Sequence, residues 1–196
     1  MKARILSIII VLLAVNAFAQ NAKKVKMIPH KSAIVEYVFE GNTTGRQTLY
    51  YDDYGWYQCQ LDQTVQKVMG QKTANNNITV TKGFDVWSWD PKTRIGTFMH
   101  NDVAEAILND PDFDAEEFAK EVMEATGFKK IGTEMYDGKL CEVWEGMATK
   151  AWVWNGISLK VEAKMFGIKI IQKAVSVKID ADIPSKRFDV PSDLKF

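Results

Sequence analysis

The segment at residues 151–165 (AWVWNGISLKVEAKM) constrains the fold most, because it reads as two alternating runs joined by Asn155-Gly156. An Asn-Gly pair between alternating apolar runs is the strongest short-range signal of a β-hairpin. The two-residue type I′ turn needs φ > 0 at both central positions, which asparagine and glycine tolerate. The chain is therefore expected to contain at least one tight antiparallel hairpin with a fixed register.

The register of this hairpin predicts one polar face and one apolar face. Trp154 is expected opposite Ile157 and Trp152 opposite Leu159, because directly opposite residues of an antiparallel pair share a face. The apolar face then carries the following side chains: Trp152, Trp154, Ile157, Leu159, Val161, Ala163 and Met165. Such a surface must be covered, either by another part of the chain or by a bound apolar molecule.

The first 19 residues have the pattern of a secretory signal peptide. A short basic start is followed by an apolar run over residues 5–15 and by the small-x-small sequence AFA at residues 17–19. The apolar run is shorter than the about 20 residues that span a membrane. We therefore predict export to the periplasm with cleavage after Ala19, and a single domain over residues 20–196 with no integral membrane span.

The overall charge excludes some partner classes. Without Lys2 and Arg4, 23 basic residues stand against 25 acidic ones. This balance gives no general electrostatic reason to expect binding to nucleic acid or to an anionic membrane. The two cysteines, Cys59 and Cys141, leave open either a disulfide, which an oxidising compartment permits, or two buried thiols on separate strands.

Alternating segments occupy both sides of the middle of the chain. Residues 32–61 and 78–99 read as strands separated by turns, whereas the Asn-rich residues 71–77 read as a loop or a long hairpin tip. Strand patterns resume from residue 130 to residue 179. Together they predict roughly nine to eleven strands in one antiparallel sheet, which must curl because twisted sheets of this size do not stay flat.

The middle of the chain has a helical period instead. A short helix capped by Asn101 is predicted over residues 101–108, and a longer one over residues 114–126. The longer helix begins with Asp114 as N-cap and Glu117 at N3, which is a capping box. Its apolar face carries Phe118, Val122 and Ala125. The predicted fold is α+β: an unclosed half-barrel of one curved antiparallel sheet, covered on its concave side by one or two inserted helices.

Few residues suggest catalysis. His100, with Asp102 close by, fits a solvated turn histidine. The acidic run at residues 110–114 is spaced like a calcium loop, but Ala115 stands where an EF-hand needs glycine. A carboxylate pair for glycoside hydrolysis would have to come from glutamates that alternate with apolar residues, namely Glu142, Glu145 and Glu162. We therefore predict no catalytic residue, no metal site, no cofactor and no enzymatic activity.

The remaining indication of function is the large number of aromatic and methionine side chains. The chain has 6 Trp, 10 Phe and 8 Met, and two Trp pairs each share one strand face. These side chains either fill a core or line a ligand cavity between sheet and helix, since ligand cavities are lined by aromatic and aliphatic groups. The candidate cavity residues are Trp87, Trp89, Trp152, Trp154, Ile157, Leu159, Val161, Phe118 and Val122.

Four segments carry a resemblance to a known family: residues 44–55 (TGRQTLYYDDYG), 139–144, 152–160 and 188–191 (FDVP). With them the chain resembles the periplasmic lipoprotein-carrier superfamily, which sorts outer-membrane lipoproteins, and a secreted branch of it more than the carriers proper. The resemblance implies an unclosed β-barrel covered by helices, with a hydrophobic cavity that shields acyl chains. The expected partner is then a lipid or a lipoprotein acyl chain. The alternative is a structural or protein-interaction module with a collapsed core and no small ligand.

Overall fold

The computed structural model describes residues 26–108, 121–122 and 125–196, and within them one antiparallel sheet of 11 strands. The predicted signal peptide lies outside the described residues, as does most of the predicted helix at 114–126. One short helix, α1 (Asp102–Leu108), follows the first six strands. The single unclosed sheet is confirmed, whereas the described residues do not confirm a cover of helices.

The strands form two groups on either side of α1. The first group consists of β1 (Ala33–Gly41), β2 (Thr43–Asp52), β3 (Tyr57–Val68), β4 (Gln71–Lys82), β5 (Asp85–Trp89) and β6 (Gly96–His100). The second consists of β7 (Lys129–Tyr136), β8 (Lys139–Gly146), β9 (Thr149–Trp154), β10 (Ile157–Met165) and β11 (Ile168–Ile179). Short 3-10 turns occur at Asp53–Gly55 and Ser185–Phe188.

Each group is a meander in which consecutive strands pair, and the two groups join through their first and last strands. The strand order is β6-β5-β4-β3-β2-β1-β11-β10-β9-β8-β7. The only ladder between the groups in the described part is the antiparallel pair β1–β11, from Ala33 opposite Ile179 to Gly41 opposite Ile170. The sheet therefore has two edges, β6 and β7.

The prediction that residues 71–77 form a loop is wrong, and the alternative of a long hairpin is what the chain adopts. These residues begin β4, which pairs with β3 without a register shift from Val68 opposite Gln71 to Tyr57 opposite Lys82. Residues 71–76 are all exposed. Their polar side chains remain in water, so continuous backbone pairing with β3 outweighs the low strand preference of asparagine.

Buried apolar residues form two separate clusters. The first core cluster consists of Ala33, Val35, Tyr37, Tyr51, Cys141, Val143, Trp152, Ile157 and Leu159. The second core cluster consists of Cys59, Val80, Trp89, Ile183 and Phe188. The C-terminal segment supplies Ile183 and Phe188, and it packs with Val190 and Leu194 against strands β3 to β5. The segment that follows β11 thus covers part of the sheet at strands β3 to β5.

The predicted cap of α1 is confirmed. The Oδ1 atom of Asn101 accepts a hydrogen bond from the Ala104 N–H at 3.0 Å, which satisfies one of the unpaired donors of the first helical turn. The helix follows β6 directly, and Asn101 is anchored by donating its own N–H to the Phe84 carbonyl at 2.9 Å. The start of the inserted segment is therefore fixed to the sheet.

Candidate functional site

The hairpin at residues 151–165 forms as predicted at its turn. Asn155 and Gly156 have φ values of 46° and 78°, the left-handed conformation that a type I′ turn requires. Trp154 lies opposite Ile157. The Asn-Gly signal therefore places β9 and β10 correctly at their joined ends.

The predicted pairing of Trp152 with Leu159 is wrong, because a β-bulge interrupts β10. The register shifts between Ser158 and Lys160, so that Trp152 lies opposite Lys160 and Val161 opposite Ala151. One extra residue in a strand moves all later side chains to the other face. Val161 and Ala163 consequently do not share a face with Trp152, and the face of the tryptophan continues into Lys160.

The surroundings of Trp152 are therefore cationic as well as aromatic. The Nζ atom of Lys160 lies 4.4 Å from the ring centroid of Trp152, and that of Lys150 lies 4.7 Å away. The indole N–H of Trp152 donates to Oε2 of Glu134 at 2.7 Å. Cations over the face of an indole are attracted by its quadrupole. This arrangement locks the ring in place within the described structure.

Glu134 links these groups electrostatically. Lys150 Nζ donates to Oε1 of Glu134 at 2.9 Å. This hydrogen bond is the main reason why the pKa of the Glu134 carboxyl lies below its usual value, and the hydrogen bond from Trp152 is the second. The pKa of Glu162 is likewise lowered, chiefly by its hydrogen bond with Lys160. Glu134 and Glu162 are held as anions by neighbouring cations, which suits structural ion pairs better than acid–base chemistry.

The structure places the predicted ligand residues in different surroundings. Trp152, Ile157 and Leu159 belong to the first core cluster with Trp154 packed against it, and Trp89 belongs to the second with Trp87 beside it. Val161 is half-buried. Val122 is exposed, and Phe118 lies outside the described residues. The two tryptophan pairs are therefore not brought together into one cluster.

An uncovered apolar surface lies elsewhere, on the outer strands β7 and β8. Met135 lies directly opposite Leu140, and their side chains are 65% and 61% exposed. Ile131, four residues before Met135 on the same strand, is 53% exposed. The alternation of Ile131, Thr133 and Met135 was visible in the sequence. The predicted ligand surface was instead placed on the strands that carry the tryptophan pairs.

This surface continues inward along one face of the sheet. Trp144 follows Leu140 by four residues, so both point to the same side. Trp144 lies opposite Ala151, which in turn lies opposite Val161. The register of β7 shifts between Lys130 and Gly132, so Lys130 rather than Ile131 lies opposite Trp144. We call the set Met135, Leu140, Trp144 and Val161 the apolar strip. A salt bridge between Lys130 and Glu142 crosses it, and the Trp144 indole donates to Glu142 at 3.3 Å.

His100 sits in an ion-pair cluster at the junction of β6 and α1. Its Nδ1 lies 2.6 Å from Asp85 Oδ1 and its Nε2 lies 3.0 Å from Glu105 Oε2, while Asp102 Oδ1 is 3.6 Å from Nε2. These hydrogen bonds, that of Asp85 first, raise the pKa of His100 to about 9. His100, Asp102 and Glu105 are close enough together to ligate a metal ion. Both ring nitrogens already have carboxylate partners, so ion pairing alone accounts for the cluster.

Both cysteines are buried free thiols. Cys59 belongs to the second core cluster and Cys141 to the first. Burial raises the pKa of the Cys59 thiol to about 11 and raises that of Cys141 as well. A thiol is nucleophilic only as thiolate, so neither residue is poised for nucleophilic chemistry. The predicted calcium-like acidic run at residues 110–114 lies outside the described residues.

Comparison with known proteins gives a fold but no sequence family. No protein-family model and no curated protein matches the chain. An uncharacterised conserved protein from Thermus thermophilus aligns with a TM-score of 0.54 at 10% identity, over 85% of this chain and 90% of that one. The two chains share a fold. At this identity the similarity shows the fold alone.

Two further solved structures match less closely. Lipoprotein LppX of Mycobacterium tuberculosis aligns with a TM-score of 0.35 at 10% identity, over 80% of this chain and 90% of that one. MucB, in its complex with MucA from Pseudomonas aeruginosa, aligns with a TM-score of 0.45 at 12% identity over 82% of this chain. The chain spans 56% of the length of that MucB structure. Neither alignment carries information about a ligand of this chain.

The described residues also bear on the predicted absence of a membrane span. None of the helices found in them combines the length and the apolar character needed to cross a bilayer.

Proposed function

We propose that this chain is an exported, non-enzymatic binding protein that holds an acyl chain or another apolar ligand on its half-barrel. The supporting observation is the apolar strip, where Met135 and Leu140 face each other close to the turn between β7 and β8 and are both more than half exposed. Exposed large apolar side chains on a continuous surface are typical of interaction or ligand sites. Covering them would contribute about 25 cal/mol for each Å² of apolar surface removed from water.

The proposed ligand surface differs from the two tryptophan pairs that the sequence suggested. Trp152 is 7% exposed, and its indole N–H and ring face already have protein partners. The apolar strip is free of such partners at Met135 and Leu140 in the described structure, and it retains one residue of the sequence-based set, Val161. An elongated ligand lying across β7 to β10 would contact the whole strip.

A protein-interaction module remains the second candidate, and one observation favours it. Among the described strands β7 is an edge of the sheet, which would let a partner add a strand to its backbone. A partner pairing there would also cover Met135 and Ile131. The two candidates differ in what binds: a lipid requires only the side chains of the strip, whereas an added strand requires the backbone of β7.

The test begins with the purified protein. Organic extraction followed by mass spectrometry should identify a co-purified lipid, and a fluorescent fatty acid should bind at roughly micromolar concentration. The double variant Met135→Thr, Leu140→Thr should weaken this binding about tenfold or more, because two exposed apolar side chains are lost from the strip. Threonine suits exposed strand positions, so the melting temperature should be unchanged.

The matched control is Val175→Thr on β11, which alters a side chain that is also exposed but lies outside the strip. It should bind the fatty acid as wild type does. Absence of both co-purified lipid and probe binding would remove the lipid proposal. Equal loss in the control would show that the strip is not the site.

A further inference from the structure

Three hairpin turns at one end of the sheet carry large apolar residues at their tips. They are Met69-Gly70 between β3 and β4, Met147-Ala148 between β8 and β9, and Phe166-Gly167 between β10 and β11. The side chains of Met69 and Phe166 are 99% and 95% exposed, and that of Met147 is 61% exposed. These side chains contribute almost nothing to either core cluster.

The backbone of these turns makes the apolar residues unexpected. Met69, Met147 and Phe166 have φ values of 50°, 47° and 50°, and the residue after each also has positive φ. Type I′ turns of this kind strongly prefer asparagine, aspartate or glycine at the first position, and a bulky residue there is strained. Folding therefore gives no reason for methionine or phenylalanine at these tips.

The opposite end of the same sheet provides the comparison. Its hairpin turns include Asp137-Gly138 between β7 and β8 and Asn155-Gly156 between β9 and β10, both with the same pair of positive φ values. Those turns use the residues that the conformation prefers. The turn between β2 and β3 at that end also has a bulky residue at positive φ, Tyr54, but this side chain is half-buried and has Lys26 Nζ 4.2 Å from its ring centroid. The exposed apolar tips differ from these turns in side chain rather than in backbone, which points to a role in binding.

Backbone hydrogen bonds hold these tips together at one end. The turn between β1 and β2 connects two of them: the Asn42 N–H donates to the Lys169 carbonyl and the Lys67 N–H donates to the Asn42 carbonyl, both at 2.7 Å. The Lys164 N–H donates to the Ala148 carbonyl at 2.9 Å, which connects the third tip. We call the turns at residues 41–43, 68–71, 146–149 and 165–168 the hairpin rim.

Two of the four turns of the hairpin rim are also basic, whereas Glu40 and Glu145 flank the other two. Directly behind two of the tips, Lys67 lies opposite Lys72 and Lys164 lies opposite Lys169. Like charges at directly opposite positions are destabilising. The nearest acid on these hairpins toward the Phe166 tip, Glu162, forms its salt bridge with Lys160 at 2.6 Å.

The local charge differs from that of the whole chain. No aspartate or glutamate occurs in residues 63–76 or 163–171, although the chain as a whole has 25 acidic and 25 basic residues. The overall balance, which gave no reason to expect an anionic partner, therefore hides two hairpin ends that are locally basic. The basic groups lie at the end of the molecule that also carries the exposed apolar tips.

We propose that the hairpin rim docks on the surface of an anionic lipid bilayer. Met69 and Phe166 insert at the boundary between headgroups and acyl chains, and the two lysine pairs contact the lipid phosphates. Separate apolar tips surrounded by lysines suit a fluid bilayer, which admits each side chain independently, whereas a protein partner would need a pocket for each tip. This inference does not depend on a ligand bound to the apolar strip.

The test is vesicle flotation with the full-length chain, expressed in an exporting host. Vesicles of phosphatidylcholine with about 30% phosphatidylglycerol supply the anionic surface, and pure phosphatidylcholine vesicles supply the neutral one. Wild type should float with the anionic vesicles only, and salt at about 0.5 M should weaken binding by screening the lysines. All variants have the same N-terminal segment. A difference in vesicle binding between them therefore cannot come from this segment.

The decisive variant is Met69→Asn, Phe166→Asn. It should lower the vesicle partition coefficient about tenfold or more for each tip. Its melting temperature should equal or exceed that of wild type, because asparagine suits the turn. Lys164→Gln, Lys169→Gln should weaken binding about fivefold for each lysine and reduce its salt dependence, even if the asparagine variant does not fold.

Val175→Thr is the matched control and should float as wild type does. Wild type that stays unbound on anionic vesicles would overturn the proposal, and so would asparagine or glutamine variants that bind with unchanged affinity. Equal binding to neutral vesicles would refute the assigned role of the lysines. Loss of binding in the control as well would show that the rim is not the docking site.

Discussion

Replacing Trp152 with alanine tests whether this residue is part of the core or part of a ligand-facing wall. The side chain is 7% exposed, lies in the first core cluster and has a ring centroid 6.3 Å from that of Tyr136. Truncation of a buried tryptophan costs about 3–5 kcal/mol, from lost burial and from the cavity that remains. In a chain of this size we expect a fall in melting temperature of roughly 6–20 °C.

The phenylalanine variant separates the packing of the ring from its hydrogen bond. Trp152→Phe keeps an aromatic ring among the same neighbours but loses the donor to Glu134 and part of the volume, so we expect a loss of about 1–2 kcal/mol. Urea unfolding followed by far-ultraviolet circular dichroism measures both variants, since tryptophan fluorescence changes with the substitution itself. A free energy of unfolding for Trp152→Ala within about 1 kcal/mol of wild type would refute the core assignment.

Two further predictions concern titratable groups. Because the pKa of His100 is raised to about 9 from an unfolded value of about 6.5, its stabilising contribution should be complete below pH 6.5 and lost as the pH rises through 9. The difference in melting temperature between wild type and His100→Gln should therefore shrink between these pH values, and a constant difference would contradict the assignment. Cys59 and Cys141 should react with a thiol reagent at about pH 8 only upon unfolding, because both are buried and their pKa values are raised. Rapid labelling of either thiol in the native protein would contradict this.

Much of the strand architecture was predictable because it depends on local signals. The Asn155-Gly156 pair marks a hairpin through its backbone preference, and β11 ends at residue 179, where the alternating pattern ends in the sequence. The cap at Asn101 was likewise local. Residues 71–77 could not be assigned in this way, because their strand forms by pairing with β3 rather than by any preference of their own.

The candidate site was less predictable because one extra residue in β10 determines which side chains share a face. The bulge at Leu159 moves Lys160 onto the face of Trp152 and moves Val161 to the other side. No short-range rule marks this position, since both the regular and the bulged strand satisfy the same turn. The salt bridge of Glu134 with Lys150 joins β7 to β9, two strands that do not pair with each other, so periodicity within one strand could not predict it.

The pairing of β1 with β11 has a consequence for how the chain folds. Each meander is made of contacts between neighbours in sequence, and such hairpins form quickly. The central ladder instead joins residues 33–41 to residues 170–179, so it closes a loop that costs about 4 kcal/mol more than a minimal one. We therefore expect the middle of the sheet to become ordered last, since it cannot form until residues 170–179 are available. Until then the inner edges of both meanders expose unpaired backbone, which makes this seam the point at which misassembly between chains would start.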